Sequence, residues 1–505
     1  MEQKDQIRVA IVGSGMAGLV TAYLLNRDVQ SRYAVTLFEA ASIAIFAVLI
    51  PGIGPTDTPQ GDLLSLDSAS LTVPNPSQGC SDRVDLPMRA FAGGFYNNLR
   101  AMYDYLGVEY HAQSFLFNFS KVAARDTGPM QKERRSSYFV HSSNNHRIPP
   151  VRPEGIRTAA WLMEILYLLV CYTWFTACCF FVVPRPGGEK EFCETLDKYL
   201  HRIRLPRYFV TYYLLPLMSS VTTCPHEALL SFPAADVTDY KKRTHGAQHY
   251  TVSNGVQDVQ RKLAKGIDTR LSAMVLAVVP QPFAVRVCWR HTEDTNGLTV
   301  CEELFDRVIL AVSPDVVEKV FRPLQYEMAQ IPTVSVESII HTDYNNLGER
   351  LGRLEGQNTA ATNSHLNHTA AHTIQFRTST ESVHRTEAIH VQASGTLVTT
   401  CPFSYIDPVH VIRASKFTRV LRTPKSRRIV NSIFGNCYPI GGNDDEKQRP
   451  GWKHGDGRVW LVGGWCWDGL VLLEGCIVSA MRVAEAFDVQ VPWRDPGFET
   501  AYNDR

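Results

Sequence analysis

Net charge is almost absent from this chain. Its 505 residues hold 51 lysines and arginines against 50 aspartates and glutamates, a formal charge of +1, with no basic block. That leaves no electrostatic footprint for a nucleic-acid partner. The twelve cysteines are scattered without a CxxC pair or a framework spacing, so free thiols in a reducing compartment are expected rather than a disulfide scaffold. No internal repeat is visible, and no signal peptide is expected. Met1 to Arg8 is mostly polar, and the apolar run from Val9 already belongs to the fold. No metal site is expected either. His365, His368 and His372 have HxxHxxxH spacing, but their setting, NTAATNSHLNHTAAHT, is loop-like and lacks a carboxylate. Asn118 and Asn367 match the glycosylation pattern and are read as unused without a secretory signal.

What the chain does have is concentrated at residues 9 to 40, VAIVGSGMAGLVTAYLLNRDVQSRYAVTLFEA. An apolar run enters the turn Gly13-Ser14-Gly15-Met16-Ala17-Gly18. A helical pattern and a second apolar run follow, closed by Glu39-Ala40. Gly13 permits the tight turn, Gly15 lets the backbone approach a pyrophosphate, and Gly18 lets the helix pack close to the strand. The helix N-terminus, at Met16 and Ala17, offers unpaired N–H groups and a positive dipole end. Glu39, 21 residues after Gly18, stands where an acid binds ribose hydroxyls. Strand, turn, helix, strand and acid together make a dinucleotide site of this turn.

Beyond Ala40 the pattern breaks. Ala41 to Gly61 is an apolar run followed by a Pro/Gly-rich stretch that fits no element of a nucleotide-binding unit. A surface loop, a membrane-dipping insertion and a translated intron are the open readings. The sensible resumption at Leu64 to Asp67 favours the intron. Residues 82 to 108 hold a Gly-Gly turn and a helix with Leu99, Met102, Tyr103 and Leu106 on one face. A hairpin with exposed loops is expected over 121–157, and a charged helix over Lys190 to Arg204. Strand, helix, strand is expected from Tyr250 to Val279, and one buried strand from Leu304 to Val312. Long loops are expected from Asp343 to Arg385, a strand-like return at Val391 to Thr400, and strand, turn and long helix from Val459 to Phe487. His245 and His249 suit a pocket between domains. Trp161 to Val183 is an apolar run of 23 residues whose only charge is Glu164, with Arg152, Arg157 and Arg185 flanking it. Its length suffices to span a bilayer. Interfacial or internal packing is preferred, because a span would put two parts of one folded unit on opposite sides of a membrane.

Four separated pieces carry a family resemblance: the GSGMAG unit with Glu39, Val84 to Met88, Phe305 to Val312, and Gly463 to Ala484. Together they resemble the flavin-containing amine oxidoreductase and phytoene desaturase-like superfamily, closest to its branch of predicted NAD/FAD-binding proteins with fungal members. The resemblance spans nearly the whole chain outside 41–61. It implies FAD as cofactor, held at both ends of the chain, with the second turn lying some 445 residues after the first. It implies that Gly463, Gly464, Leu473, Glu474 and Gly475 address the flavin ring, that Arg89 and the Asp85–Met88 backbone lie beside it, and that Val275 touches adenine. A helix N-terminus there would stabilise negative charge on reduced flavin. Two departures stand out: the usual Gly-Gly-Arg/His element after the second strand is missing, and Gly464 replaces an acid common in the C-terminal turn.

The resemblance leaves the catalytic residues unknown. Trp465, Trp467 and Tyr438 are the weak candidates for walls of the ring or substrate. Cys437 reads as a buried thiol rather than a covalent flavin attachment. The expected fold class is α/β, a Rossmann-like FAD-binding domain with a mixed β-sheet plus helices as substrate domain. FAD-binding parts are expected at 1–84, 250–325 and 431–505, and substrate-domain parts at 85–249 and 326–430. The expected function is oxidation or desaturation of a hydrophobic small molecule (a lipid, isoprenoid or secondary metabolite) by hydride transfer to flavin. An amine oxidase and a degenerate, non-catalytic flavin-binding protein stay open as alternatives. The expected location is the cytoplasmic side, with membrane association through 161–183 and a single-pass membrane protein as open alternatives.

Overall fold

A computed structural model describes residues 6–40, 69–75, 80–86, 89–122, 137–142, 152, 156–188, 192–292, 299–347, 372–381, 384–392, 394–435 and 451–494. In chain order, the elements that matter most are β1 (Ile7–Val12), α1 (Met16–Asn26), β2 (Tyr33–Phe38), α2 (Asn97–Leu106), β3 (Phe115–Val122), α3 (Thr158–Phe181) and α4 (Ala234–Thr244). After them come β4 (Asp268–Arg270), β5 (Arg307–Leu310), β6 (His372–Ser379), β7 (Thr386–Val391), β8 (Val411–Val420), β9 (Val459–Leu461) and α5 (Leu473–Ala486).

Five of these strands form one parallel sheet, ordered β4-β2-β1-β5-β9. Its central strands are apolar without alternation: Val9, Ala10, Ile11, Val308, Ile309 and Leu310 have no exposed surface. That is the pattern of a parallel sheet covered on both faces. α1 covers one face and packs on α5, with every residue from Ala17 to Leu25 buried. The sheet therefore draws its strands from the start, the middle and the end of the chain.

Beside it lies a seven-stranded mixed sheet. Its order is β8, Thr333–His341, Leu397–Thr400, β7, β6, β3, Ser137–Ser142. Its only parallel pair among the described strands is β3–β6. The fold is thus α/β, a Rossmann-like parallel sheet joined to a mixed sheet with helices.

Several expectations need correction. The strand anticipated over Leu304 to Val312 is two strands. Cys301–Phe305 joins an antiparallel three-stranded sheet, and β5 joins the parallel one. Asp306 makes the switch, its carboxylate accepting from Arg8 N–H at 2.7 Å and its own N–H donating to Arg8 C=O at 2.9 Å. The loops anticipated over 343–385 contain β6, an inner strand of the mixed sheet. Its polar residues are buried in pairs: Arg377 with Glu387, and Thr378 with Thr386 at 2.9 Å. The helix expected from Lys190 begins only at Leu196, where Thr195 accepts from Lys198 N–H. The boundary expected between residues 249 and 250 cuts the strand His249–Val252, which pairs with Phe91–Ala92 and Tyr110–Ala112. The hairpin expected from 121 starts at Phe115, as β3 pairs with Ser137–Ser142. The 41–61 insertion lies outside the described residues.

The apolar segment is one continuous helix, α3, of 24 residues, long and apolar enough by composition to cross a membrane. One face packs inward through Leu168, Cys171, Phe175, Cys178 and Cys179. Its single charge is held by protein: Glu164 accepts from the Tyr213 hydroxyl and from Tyr208 at 3.5 Å. Tyr199 donates to Cys178 C=O at 2.8 Å, and Trp174 Nε1–H to Ile203 C=O at 2.8 Å. The opposite face leaves Leu162, Met163, Leu166, Val170 and Trp174 more than half exposed.

Candidate functional site

The first glycine turn divides its labour residue by residue. Gly13 has φ +103°, a backbone state that disfavours any side chain, and a Cβ on it would stand 2.7 Å from Ala311 O. A Cβ on Gly18 would stand 2.0 Å from Gly13 O, so this residue sets how closely α1 approaches the strand. Gly15 is different. It is the N-cap of α1, and a Cβ there meets nothing within 4 Å. The space in front of it is open, at the N-terminal, positive-dipole end of α1.

Glu39 closes the turn from the far side. Its Oε2 accepts from Ser14 N–H at 3.0 Å and from the Ser14 hydroxyl at 2.5 Å, and the residue is buried. The backbone N–H of Glu39 donates to Arg270 C=O at 2.9 Å, and its C=O accepts from Ala273 N–H at 2.8 Å. Those bonds bring the strand Ala273–Pro280, and Val275 within it, alongside the acid. Val275 packs its side chain into the same core cluster as Phe38. Ala40 ends the described run.

The second turn follows β9. Gly463 N–H donates to Ser479 Oγ at 3.0 Å, tying the turn to α5. A Cβ on Gly475 would lie 2.4 Å from Trp467 Nε1 and 2.6 Å from Gly464 O, and one on Gly464 would lie 3.0 Å from Leu472 O. Both glycines let α5 start against its own turn. The buried Arg422 guanidinium fastens the turn from below, donating to Trp465 C=O at 3.0 Å and Trp467 C=O at 2.8 Å. Glu474, expected at the flavin, faces α2. It accepts from Asn98 N–H at 2.9 Å, Asn98 Nδ2 at 2.7 Å and Leu99 N–H at 3.1 Å, and so caps that helix.

Both turns open into one cavity of about 1310 Å³. The described residues on its wall include Gly15, Met16 and Ala17 from the first turn and Gly463, Gly464, Trp465, Leu473 and Cys476 from the second, with Arg89 between them. Of the remaining expected site residues, Gly13, Gly18, Glu39, Val275, Trp467, Glu474 and Gly475 stand behind the wall. Trp467 spends its Nε1–H on Leu470 C=O at 2.8 Å and its ring on Phe95. Tyr438 and Cys437 lie outside the described residues, as do His365 and His368. His372 begins β6, and no metal-binding group exists among the described residues.

Away from the turns much of the cavity wall is apolar and aromatic, interrupted by polar groups. β3 supplies Phe115, Phe117 and Phe119, β6 supplies Ile374 and Phe376, and α3 supplies Ile165, Leu168, Tyr172 and Phe180. Sequence reasoning missed β3. Its signal was the alternation in Phe115-Leu116-Phe117-Asn118-Phe119, blurred because Leu116 and Asn118 are also buried. His249 and His390 line the same space, and burial pulls both imidazoles down, to about 4 and about 3. Both rings are therefore neutral at physiological pH. Burial also pushes the Cys476 thiol up to about 11, so it stays protonated beside the start of α5.

The family described as NAD(P)-binding Rossmann-like domain matches residues 11–44. Among solved structures, a candidate protoporphyrinogen oxidase from Exiguobacterium sp. 255-15 is similar at 13% identity, covering 96% of this chain and 99% of its own, with a TM-score of 0.51. Putrescine oxidase in complex with putrescine is similar at 12% identity, covering 96% of this chain and 100% of its own, with a TM-score of 0.53. No curated protein matches the chain. The likeness extends over the full length of both folds.

Proposed function

We propose that the chain is an FAD-dependent oxidoreductase that oxidises or desaturates a hydrophobic small molecule. One observation carries this reading: two glycine turns from opposite ends of the chain, each leading into a helix N-terminus, border a single large apolar cavity. A nicotinamide dinucleotide needs only the first turn. FAD is long enough to use both, with its pyrophosphate at the open space before Gly15 and its ring at Gly463, Gly464 and Leu473. Bound flavin would supply the acceptor for a hydride. The chain's own residues do the rest. Aromatic side chains of β3 and β6 orient the apolar substrate, and α3 closes the cavity against water.

The overall likeness to protoporphyrinogen and putrescine oxidases supports the oxidase reading. An amine substrate fits the wall less well. Its charged side chains among the described residues are Arg89, Lys241 and Arg419, all cations.

Access to the cavity runs along α3, because Leu169 and Phe181 line it and are also exposed, at 62% and 85%. The outer face of α3, with Trp174 in its C-terminal half and exposed Arg152 and Arg157 at its N-terminal end, lies on a lipid surface in this reading. Hydrophobic substrates then reach the cavity from lipid.

Reconstitution with FAD tests the proposal. The purified protein should show a bound-flavin spectrum with bands in the near-ultraviolet and blue. Anaerobic bleaching, screened over prenyl lipids, unsaturated acids and amines, should respond to an apolar compound. A protein that binds no flavin overturns the enzyme reading, and bleaching by amines alone overturns the substrate class.

A further inference from the structure

Among the described residues, Arg89, Lys241 and Arg419 are the lysine and arginine side chains that line the cavity, and their environments differ. Arg89 stands near the start of α5 with Cys476 and Tyr96. Arg419, on β8, donates its Nε–H to Thr223 Oγ1 at 2.5 Å and stacks its guanidinium over Phe417. Lys241, on α4, faces Cys179 of α3, and no carboxylate of the described residues pairs with its ammonium. Burial presses its pKa downward. An ammonium partly withdrawn from water without a counter-charge is unfavourable.

Its surroundings show why it matters. Tyr240, one residue earlier, packs on Phe95, which contacts Trp467 of the second turn. Adjacent helical residues project about 100° apart, so α4 reaches both the flavin end and the α3 side of one space. His245, at the end of α4, meets Phe180 edge-on at 5.6 Å. The same cavity is lined by the apolar cluster in which Phe376 packs on Phe117 and Phe119 at 5.5 and 5.2 Å.

We infer that the cavity takes an amphipathic carboxylate, its apolar body against Phe117, Phe119 and Phe376 and its single carboxylate on Lys241. This rests on the reading of the cavity as the substrate site and narrows its substrate class. A carboxylate neutralises the half-buried ammonium, an alcohol leaves it without a counter-charge, and an amine adds a like charge.

The test uses the full chain reconstituted with FAD. A fluorescent conjugated C18 tetraenoic acid is bound and then displaced by hexadecanoic acid, hexadecanol or hexadecylamine. Hexadecanoic acid should displace it at about tenfold lower concentration than the other two, the size of one charge-assisted contact. Lys241→Met should erase that advantage and leave hexadecanol unchanged, whereas Lys241→Arg should keep it. Hexadecanol binding by each variant reports an intact cavity. An acid advantage that survives Lys241→Met, or tighter binding of hexadecylamine, overturns the inference. The visible spectrum of the same samples reports flavin separately. Acid preference without flavin retains this site and sinks the oxidoreductase reading, and flavin without acid preference does the reverse.

Discussion

Gly15 and Gly18 stand three residues apart in one turn, yet replacing each by alanine should fail in opposite ways. At Gly18 the added methyl would sit 2.0 Å from Gly13 O. That oxygen is backbone and cannot swing aside, so α1 must move from the strand by more than an ångström. Overpacking of this kind costs about 3 kcal/mol or more, because α1 is buried along nearly its whole length. At Gly15 the methyl meets nothing within 4 Å, and φ −62°, ψ 171° suits any residue. The folded protein should lose less than about 1 kcal/mol, the difference between glycine and alanine at an N-cap. What the methyl does occupy is the space a pyrophosphate needs. Flavin affinity should fall about a hundredfold, which corresponds to roughly 2.7 kcal/mol. Two assays separate the cases: urea unfolding followed by circular dichroism, and flavin retained per chain after gel filtration. Gly15→Ala should keep the unfolding midpoint and lose flavin, and Gly18→Ala should lower the midpoint. A Gly15→Ala protein that retains a full complement of flavin would refute the phosphate position. Gly18→Ala with an unchanged midpoint would refute the packing argument.

Other consequences can be measured directly. Glu474→Ala removes the acceptor for two backbone N–H groups and a side-chain amide at the start of α2, and should cost about 2–4 kcal/mol in urea unfolding. A loss of flavin without loss of stability would return Glu474 to the cofactor. Glu387→Ala removes the counter-charge of the fully buried Arg377 guanidinium and should cost about 3–5 kcal/mol, read the same way. Acid should destabilise the protein early. Burial depresses His226 and His341 to about 4 and His390 to about 3, from an ordinary 6.5. The unfolded chain takes up these protons first, so their contribution is complete above pH 6.5 and is lost as pH falls through that window to about 4. The slope is roughly 1.4 kcal/mol per pH unit for each histidine. A constant urea midpoint between pH 7 and pH 5 would contradict it. Flotation with liposomes should carry the wild-type protein, and Leu166→Glu with Val170→Glu on the outer face of α3 should abolish flotation without changing the flavin spectrum.

The parts of the site that were legible are those where chemistry demands a residue type at a fixed spacing. Gly13 and Gly18 are legible because a turn and a helix contact each exclude a Cβ there, whereas a Cβ on Gly15 meets nothing in the protein itself. The acids were harder to read. Glu39 also holds Ser14 through one carboxylate oxygen, and Glu474 caps α2. A carboxylate near a glycine turn has the same sequence signal whether its partner is a ligand or an N–H of its own chain. β6 was hidden for another reason. Its threonines, glutamine and arginine read as loop, yet Arg377 and Thr378 are buried because β7 supplies Glu387 and Thr386 opposite them. Polarity predicts exposure only where no partner strand satisfies it. Lys241 and the phenylalanines of β3 met only through the folding of the mixed sheet, and no local spacing announces that.

The order of strands in the parallel sheet also carries a timetable. β1 and β2 can pair as soon as they leave the ribosome, but β9 and α5 follow about 450 residues later. At a synthesis rate of 5–20 residues per second that is a delay of roughly 20–90 s. Until β5 is made, β1 has an open edge; from then on β5 lacks its outer neighbour, and throughout α1 lacks the helix that covers it. The nascent chain thus spends most of its synthesis with an apolar strand edge and a bare helix face on view, a natural target for chaperones. A premature stop anywhere before residue 459 leaves that surface uncovered for good, and its product should be cleared or aggregate rather than survive as a partial nucleotide binder.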